Sequence, residues 1–386
     1  MTKKQLFRAV VFALVLLCMF TFLSDVFQNG SNRASTYKTR AYFELEEDTL
    51  DVAFLGTSGI DRYWLASKAY EEQGIASFAF ATDGYPAWLM LPMVKDFARR
   101  HDTLKLVVLD MRAFTATYTG AKAERYEVRA RTFAEALPFF SLTRLDTISK
   151  TLEVISENVE GEDRFDLSYL FTFIKYHSRW SEDDFDPYAE TEYKVSPYMG
   201  AFIHKKLSIR PSPKKVTTVV TEKRQALDPV CLEALYELLD YFETQDFEVL
   251  FLNTPHEQNA RDTRRLNTLC DILDEEGYNY VYCDLDESIY DLQNDFYNPD
   301  HVNYYGSEKF SERFISYLKQ NYDLPDRRGD ERYSQWEGTY DNVKTAIAKL
   351  EAAKKAKEEQ AAAEQAAAAE KTTVPTSAAQ TAAVQS

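Results

Sequence analysis

Five short apolar runs, each followed by a helical pattern, constrain the fold of this chain more than any other feature. The runs are residues 52–56, 77–81, 105–110, 247–253 and 279–284. The segments "KLVVLDM" and "FEVLFLNTP" are almost continuously apolar, which is typical of strands covered on both faces. Helical patterns occupy residues 64–72, 87–100, 231–244, 260–276 and 307–320. This alternation predicts an α/β fold with a parallel sheet and helices on both sides.

The alternation stops between about residues 115 and 227. This stretch is rich in aromatic and charged residues, as in "RTFAEALPFFSLTRL" and "DLSYLFTFIKYHSRWSEDDF", and much of it has helical periodicity. A loop-like segment, "DPYAETEYKVSPYMGAF", follows. We predict a helical insertion in the α/β unit that acts as a cap or lid; an independent second domain is the alternative.

The N-terminal 30 residues are predicted to anchor the chain in the cell membrane. Lys3, Lys4 and Arg8 precede an apolar segment of about 20 residues, which is near the length that crosses a bilayer. No A-x-A-like cleavage site follows, so an uncleaved single-pass anchor is favoured over a cleaved signal peptide. The basic flank predicts a cytoplasmic N-terminus and an extracytoplasmic main domain.

The other end of the chain, residues 326–386, is predicted to be a low-complexity Ala/Glu/Lys tail, partly helical or disordered, with no chemistry of its own. The net charge of −17 argues against a nucleic-acid partner, because phosphate backbones require a basic face. Cys18, Cys231, Cys270 and Cys283 form no CxxC pair, which favours buried free thiols over a single disulfide. No His, Asp and Glu set has metal-ligand spacing, so neither a metal nor a cofactor is expected.

Two polar motifs stand at places where parallel strands deliver side chains to a common edge. Ser58 lies in "GTSG" directly after the first predicted strand, where it is either a nucleophile or only a turn and helix-cap residue. His301 lies in "NPDHVNYYG", a polar loop before an amphipathic helix. An imidazole at that position can accept a proton from a hydroxyl nucleophile.

Together these motifs resemble the SGNH (GDSL-like) hydrolase superfamily. The segments "FLGTS", "YHSRW", "FLNTPHEQ" and "DHVNYYG" are similar to its membrane-anchored bacterial members, such as the D-alanyl transfer protein of teichoic acid synthesis and alginate O-acetylation proteins. The resemblance covers most of residues 50–320. It implies a three-layer α/β/α flavodoxin-like fold over residues 31–325, with Ser58 as nucleophile and His301 as base. It also implies that the substrates are acylated glycans or cell-envelope polymers and that a membrane-bound O-acyltransferase is a possible partner.

The sequence departs from the family at the third residue before the histidine, where Asn298 replaces an acidic residue. Three interpretations are open. Asn298 orients His301 through a hydrogen bond, as an amide does in Cys-His-Asn enzymes. Alternatively, Asp300 or Asp295 supplies a carboxylate. In the third interpretation the site is weakened or inactive.

The resemblance also implies an oxyanion hole, of which the Ser58 N–H is one donor. Gly84 in "ATDGYP" is the candidate second donor, or else only a turn glycine. The family's third donor, an asparagine, is missing from "VLDMRAF". There Arg112 could stabilise negative charge or hold an anionic substrate, or else form a salt bridge with Asp110 or another surface acid. His256 is expected to border the cleft, whereas His101, His177 and His204 are read as structural or surface residues.

The sequence therefore predicts an extracytoplasmic serine esterase or O-acyltransferase that acts on acylated cell-envelope polysaccharide. The alternative is a catalytically weak or inactive accessory protein that binds a polymer or a membrane acyltransferase.

Overall fold

A five-stranded parallel sheet forms the centre of the computed structural model. The structure describes residues 1–27, 33–118, 121–158, 167–181, 198–204, 207 and 218–372. The strands are β1 Val52–Gly56, β2 Ser77–Ala81, β3 Leu106–Asp110, β4 Glu248–Asn253 and β5 Asn279–Tyr282. Their order across the sheet is β2-β1-β3-β4-β5, and every pair is parallel. The predicted α/β class with a parallel sheet is confirmed, and each observed strand lies within the predicted run.

The helices between the strands also fall where the periodicity predicts them. They are α4 Ala66–Gln73, α5 Met90–Arg100, α9 Pro229–Phe242, α10 Ala260–Glu276 and α11 Tyr304–Asn321. The short helix α3 Ser58–Asp61, which follows β1, was not among the predicted helical segments. Polar caps define several starts: the Asn259 side chain accepts the first N–H groups of α10, and Asn303 does the same for α11. Asn303 directly follows a short antiparallel hairpin, which consists of β6 Phe296–Asn298 and β7 His301–Val302 and carries residues of the site.

Aromatic side chains cover the sheet on its two faces. The Phe54 ring stacks on Trp64 at 4.5 Å and meets Phe314 of α11 edge-on. On the other face, the Phe80 ring contacts Tyr42 and Phe97 of α5. Because neighbouring residues of a strand point to opposite faces, this two-sided packing explains why the strand runs are apolar throughout.

The insertion contributes α6 Ala121–Ala136, α7 Leu142–Asn158 and α8 Phe173–Tyr176. Its helices α6 and α7 pack on each other, and α6 packs on α2 Arg33–Phe43. Residues 198–204 return to the sheet, where the Met199 carbonyl accepts the Ala79 N–H at 3.0 Å. Residues 159–166, 182–197, 205–206 and 208–217 of the insertion lie outside the described residues, as does the end of the predicted tail, 373–386.

The N-terminal segment forms one long exposed helix, α1 Lys3–Val26. Its Lys3–Ser24 portion has a mean hydropathy of 2.5 and is long and apolar enough to cross a membrane. The helix ends against the insertion, since the Thr172 hydroxyl donates to the Ser24 carbonyl at 2.8 Å.

Packing continues past residue 325, where the low-complexity tail is predicted to begin. Tyr333 and Trp336 are buried in the main core, and the Trp336 indole N–H donates to the Ser77 carbonyl at 3.0 Å. The helix α12 Thr339–Thr372 then buries Tyr340 and Val343 on its first turns. A low-complexity composition therefore describes only the later part of α12, because the aromatic residues before it supply enough apolar area to bind the domain.

Candidate active site

Ser58 is presented by a turn that close backbone packing holds in place. Asp110, at the end of β3, accepts the Thr57 N–H at 3.0 Å and also the Thr57 hydroxyl. The Thr57 side chain in turn caps α3 by accepting the Gly59 N–H at 3.2 Å. Ser58 is thus the first residue of α3 and lies at the carboxyl edge of the sheet, half-buried.

Both glycines of "GTSG" are explained by neighbours that leave no room for a side chain. A Cβ on Gly56 would lie 2.1 Å from the Asp110 Cβ. A Cβ on Gly59 would lie 2.8 Å from the Arg112 Nε. These glycines therefore allow the side chains of Asp110, at the end of β3, and Arg112, just after it, to pack directly under the serine turn.

His301 reaches this turn from the other end of the domain sequence. Its Nε2 lies 2.6 Å from the Ser58 Oγ. The ring is half-buried and is carried by the β6–β7 hairpin, whose path is held by the Asn303 cap of α11. The structure thus brings together the two residues that the sequence predicted to act together.

Asn298 lies on the opposite side of the imidazole. Its Oδ1 is 3.0 Å from the His301 Nδ1 and also accepts the Asp300 N–H at 2.9 Å. Because Oδ1 is an acceptor, Nδ1 carries the ring proton and Nε2 presents its lone pair to Ser58. This is the tautomer that a general base requires.

The two alternative carboxylates have other surroundings. Asp300 is exposed, and its backbone carbonyl accepts hydrogen bonds from Arg112 and Tyr63. The buried Asp295 carboxylate contacts the Lys309 ammonium at 2.7 Å. Of the three interpretations of the histidine partner, the contacts correspond to orientation by Asn298.

The environment of His301 disfavours its charged form. Burial lowers the pKa of His301 to about 2, and the positive charges of Arg62 and Arg112 act in the same direction. The imidazole is therefore neutral and able to accept a proton at neutral pH. An imidazolium formed there has the Asn298 amide rather than a carboxylate beside Nδ1. Its stabilisation therefore depends on the negative charge of the oxyanion that forms in the reaction.

Arg112 ties three parts of the site together. Its guanidinium donates to the Thr254 hydroxyl at 2.8 Å and to the Asp300 carbonyl at 3.1 Å. The same group lies 5.3 Å from the centroid of the Tyr63 ring. These hydrogen-bond partners are carbonyl and hydroxyl groups rather than a carboxylate, and a role of Arg112 toward negative charge or an anionic substrate stays a prediction. The guanidinium positions the β4 end and the His301 loop relative to the serine turn.

Thr254 and Tyr63 complete this bracing and were not singled out from the sequence. The Thr254 hydroxyl donates to the Gly59 carbonyl at 2.9 Å. The Tyr63 hydroxyl donates to the Pro255 carbonyl at 2.6 Å. A buried tyrosine needs a hydrogen-bond partner for its hydroxyl. The sequence does not show that Tyr63 is buried, so it offered no signal for this contact.

His256 is buried close to these groups. Its Nδ1 lies 2.7 Å from the Thr254 carbonyl, so Nδ1 carries the proton. Burial, followed by the charge of Arg112, lowers the pKa of His256 well below its usual range. The ring is therefore uncharged at neutral pH, and its expected position at the border of the cleft stays a prediction.

Gly84 lies in the turn after β2 with a φ of +62°. A Cβ there would lie 1.6 Å from the Arg129 Nη1, and Arg129 donates to the Gly84 carbonyl at 3.4 Å. These contacts match the turn-glycine interpretation. They place Gly84 against α6 of the insertion and assign no role to its N–H.

A second group that the sequence did not predict flanks His301. The Tyr297 ring stacks with the His301 ring at 5.6 Å and with His204 of the insertion at 3.9 Å, each at an interplanar angle of 8°. The Tyr297 hydroxyl accepts the Arg62 Nε–H at 2.7 Å. His204, read from the sequence as a packing or surface residue, thus belongs to the wall of the site.

Arg62 is fixed by acidic residues on two sides. Its guanidinium contacts Asp61 and Asp83, each at 2.9 Å. Asp61 also contacts the buried Lys38, whose ammonium donates to the Ala81 carbonyl at 2.6 Å. The sequence signal was the charged pair directly after "GTSGI", since two charges so close to a buried strand end require partners.

The one set of carboxylates that the described residues bring within metal-binding reach lies elsewhere. It consists of Glu153, Glu233 and Glu237 on α7 and α9, and the Lys150 ammonium contacts all three, the nearest, Glu237, at 2.6 Å. The four cysteines are free thiols, of which Cys231 is buried and Cys18 is exposed on α1.

No protein-family model matches this chain, and no curated protein matches it either. The description that the fold and the contacts support is therefore an α/β protein whose parallel sheet carries a Ser58–His301–Asn298 arrangement at its carboxyl edge.

Proposed function

We propose that this protein is an SGNH-type serine esterase or O-acyltransferase. The observation that carries the proposal is the 2.6 Å contact between the Ser58 Oγ and a neutral His301 whose other nitrogen is held by Asn298. Nucleophile, base and orienting group stand in the relation that acyl transfer through a hydroxyl requires.

The sheet supports the same proposal. Its order β2-β1-β3-β4-β5 is that of flavodoxin-like folds, in which ligands bind at the carboxyl ends of the strands where the strand order reverses. Here that point lies between β1 and β3, which deliver Ser58 and Arg112. A three-layer flavodoxin-like domain of the SGNH type accommodates both the order and the site.

In the proposed reaction the Ser58 hydroxyl attacks an ester carbonyl while His301 Nε2 takes its proton. The carbonyl oxygen becomes an oxyanion, and the Ser58 N–H at the start of α3 is positioned to donate to it. The tetrahedral intermediate collapses when the leaving alcohol takes the proton from His301, which leaves an acyl-serine. Water or a sugar hydroxyl then reverses these steps and releases the acid or a new ester.

The N-terminal helix and the insertion indicate where this chemistry takes place. We place α1 across the cell membrane with a cytoplasmic N-terminus and the domain outside, because Lys3, Lys4 and Arg8 flank its first turns. The proposed substrates are acylated cell-envelope polysaccharides, and a membrane-bound O-acyltransferase is a proposed partner. Part of the insertion, through His204, stacks on Tyr297 beside His301, as a lid over a polymer site would.

A fluorophosphonate probe tests the nucleophile directly. Purified full-length protein is expected to be labelled covalently, and Ser58→Ala is expected to lose the label. Ser316→Ala, which removes an exposed serine hydroxyl on α11, is the matched control and should be labelled like the wild type. Equal labelling of Ser58→Ala and wild type would exclude Ser58 as the nucleophile.

A non-catalytic accessory role is the second candidate, and one observation favours it. His301 has an amide rather than a carboxylate at Nδ1, and burial lowers its pKa to about 2, so the imidazolium intermediate is disfavoured. In this role the folded domain would bind a polymer or a membrane acyltransferase. A folded wild-type protein that takes no label and hydrolyses no aryl ester would support the accessory role.

A further inference from the structure

Two exposed apolar segments of the insertion lie beside the outer end of the membrane helix. The first is the corner from Pro138 to Leu145, where Phe140, Leu142 and Leu145 are 75, 61 and 51% exposed. The second is Phe173–Ser181, where Trp180 is 70% exposed. Three large apolar side chains exposed within six residues of one corner mark a surface that contacts something other than water. We call these two segments the apolar rim.

Direct contacts join the apolar rim to α1. The Phe20 ring of α1 lies 5.0 Å from Phe171 and 5.1 Å from Phe173. Phe171 stacks on Phe139, which is adjacent to the exposed Phe140. The rim is therefore continuous with the membrane-crossing helix through a chain of aromatic contacts.

These contacts also set the depth of the rim. The membrane-crossing portion of α1 ends at Ser24. Phe20 lies four residues earlier, which is about 6 Å along the helix axis. Because Phe171 and Phe173 touch Phe20, the rim lies at the level of the outer bilayer boundary, where aromatic residues are favoured.

The wall behind the rim has the opposite character. A cavity of about 300 Å³ separates the end of α1 from α2, α6 and α7. Its polar lining includes the hydroxyl residues Thr21 and Ser24, the basic Arg40 and Arg144, and the acidic Glu44 and Glu135. The buried Ser24 hydroxyl has no hydrogen-bond partner among the described residues. Two basic and two acidic side chains stand together there, so this wall is polar where the rim carries exposed apolar side chains.

We propose that the insertion docks on the lipid surface beside α1, with Phe140, Leu142, Leu145 and Trp180 in the bilayer interface. A domain tied to the membrane by α1 alone would swing freely, whereas this second contact fixes its orientation. We take lipid as the molecule that contacts this surface, because the contacts with Phe20 hold the rim at the depth of the outer bilayer boundary. The proposal depends on α1 crossing the membrane and is independent of whether Ser58 is catalytic.

Trp180 provides the test. Trp64, Trp88 and Trp336 are buried in the domain, so Trp180 is the tryptophan that reports on the rim. Full-length protein is reconstituted in vesicles of phosphatidylglycerol and phosphatidylethanolamine, with and without brominated acyl chains. The difference in emission between wild type and Trp180→Phe gives the Trp180 signal. We expect brominated lipid to quench this signal and aqueous iodide to leave it largely unquenched.

Substitutions in the rim sharpen the result. The double variant Leu142→Glu and Leu145→Glu is expected to lower bromolipid quenching of Trp180 and raise iodide quenching. Val220→Ser, which changes a side chain that is 90% exposed outside the insertion helices, should leave both unchanged. A Trp180 signal quenched by iodide and not by bromolipid would overturn the proposal, and would indicate that the rim instead awaits a protein partner absent from the vesicles.

Discussion

The Ser58 hydroxyl and the His301 Nε2 lie 2.6 Å apart although 243 residues separate them along the chain. Ser58 follows β1, the second strand across the sheet, and His301 lies in a hairpin just before α11. The carboxyl edge of the parallel sheet is what makes them neighbours, because consecutive strand–helix units deliver their loops to one edge.

Replacement of His301 by glutamine is expected to slow ester hydrolysis by about 10²- to 10⁴-fold, the usual contribution of a general base. Glutamine retains a polar side chain of similar reach but cannot take the proton from Ser58. The rate of p-nitrophenyl acetate hydrolysis measures the effect, with thermal unfolding as the check on folding. A variant that hydrolyses the ester at the wild-type rate would contradict the role of base.

The pair Asn298→Ala and Asn298→Asp tests the orienting residue. Alanine removes the hydrogen bond to His301 Nδ1, and we expect a loss of about tenfold in kcat/KM, corresponding to a bond of about 1–2 kcal/mol. Aspartate keeps an oxygen acceptor for both the His301 ring and the Asp300 N–H. Its charge favours the imidazolium, so the rate should rise rather than fall. If both variants matched the wild type, Asn298 would have no role in orienting the base.

The pH dependence of activity should lack the usual histidine inflection. Burial, with Arg62 and Arg112, lowers the pKa of His301 to about 2, so the base is already neutral well below pH 6.5. We expect kcat/KM to stay level from pH 8 to about pH 5 in wild type. In Asn298→Asp the new carboxylate raises the pKa of His301, so an acid limb should appear at higher pH. A wild-type limb centred near pH 6.5 would contradict this environment for His301.

As the pH is lowered, the free energy of unfolding should fall before the catalytic rate does. Burial lowers the pKa of His101 to about 4 and that of His301 to about 2, and it also lowers the pKa of His256. In the unfolded chain these groups bind protons near pH 6.5, but in the folded protein they do not. The contribution of these three histidines to stability is therefore constant above pH 6.5 and falls as the pH drops below it. Urea unfolding between pH 7 and pH 4.5 measures this, and His101→Asn should flatten the slope. Equal stability at pH 7 and pH 4.5 would contradict it.

Two truncations test how far the folded domain extends. A chain that ends after residue 354 keeps Tyr333, Trp336 and the buried first turns of α12, and its stability should match that of the full chain. A chain that ends after residue 325 loses all of them. Removal of Trp336 alone by substitution with alanine is expected to cost about 3–5 kcal/mol, the usual cost for a buried tryptophan. The unfolding temperatures of the full chain and the two truncated chains are compared in detergent. Equal stability of the two truncated chains would show that the domain ends before residue 326.

The strand positions were predictable because they depend on local composition. Runs such as "VAFLG" and "LVVLD" are apolar at every position, and the sheet covers both of their faces. The boundary at residue 325 was harder to place. Tyr333 and Trp336 stand in a polar, charged context, and only their packing against Ser77 and the core shows that this segment is folded.

The site divides in the same way. Ser58, His301 and Asn298 could be named from short motifs, because glycines beside a serine and a polar loop before a helix are legible in the chain itself. The stack of His204 and Tyr297, the clamp made by Arg112 and Thr254, and the link from Arg62 to Tyr297 could not. Each joins segments far apart in sequence through contacts of a few ångströms, and no local pattern specifies which buried polar group will meet which partner. The sequence by itself determined the alternation of strands and helices and named Ser58, His301 and Asn298 as candidate residues of the site. Tertiary structure decided the partner of His301, the extent of the folded domain and the position of the apolar rim, because burial and proximity are properties of the packed chain.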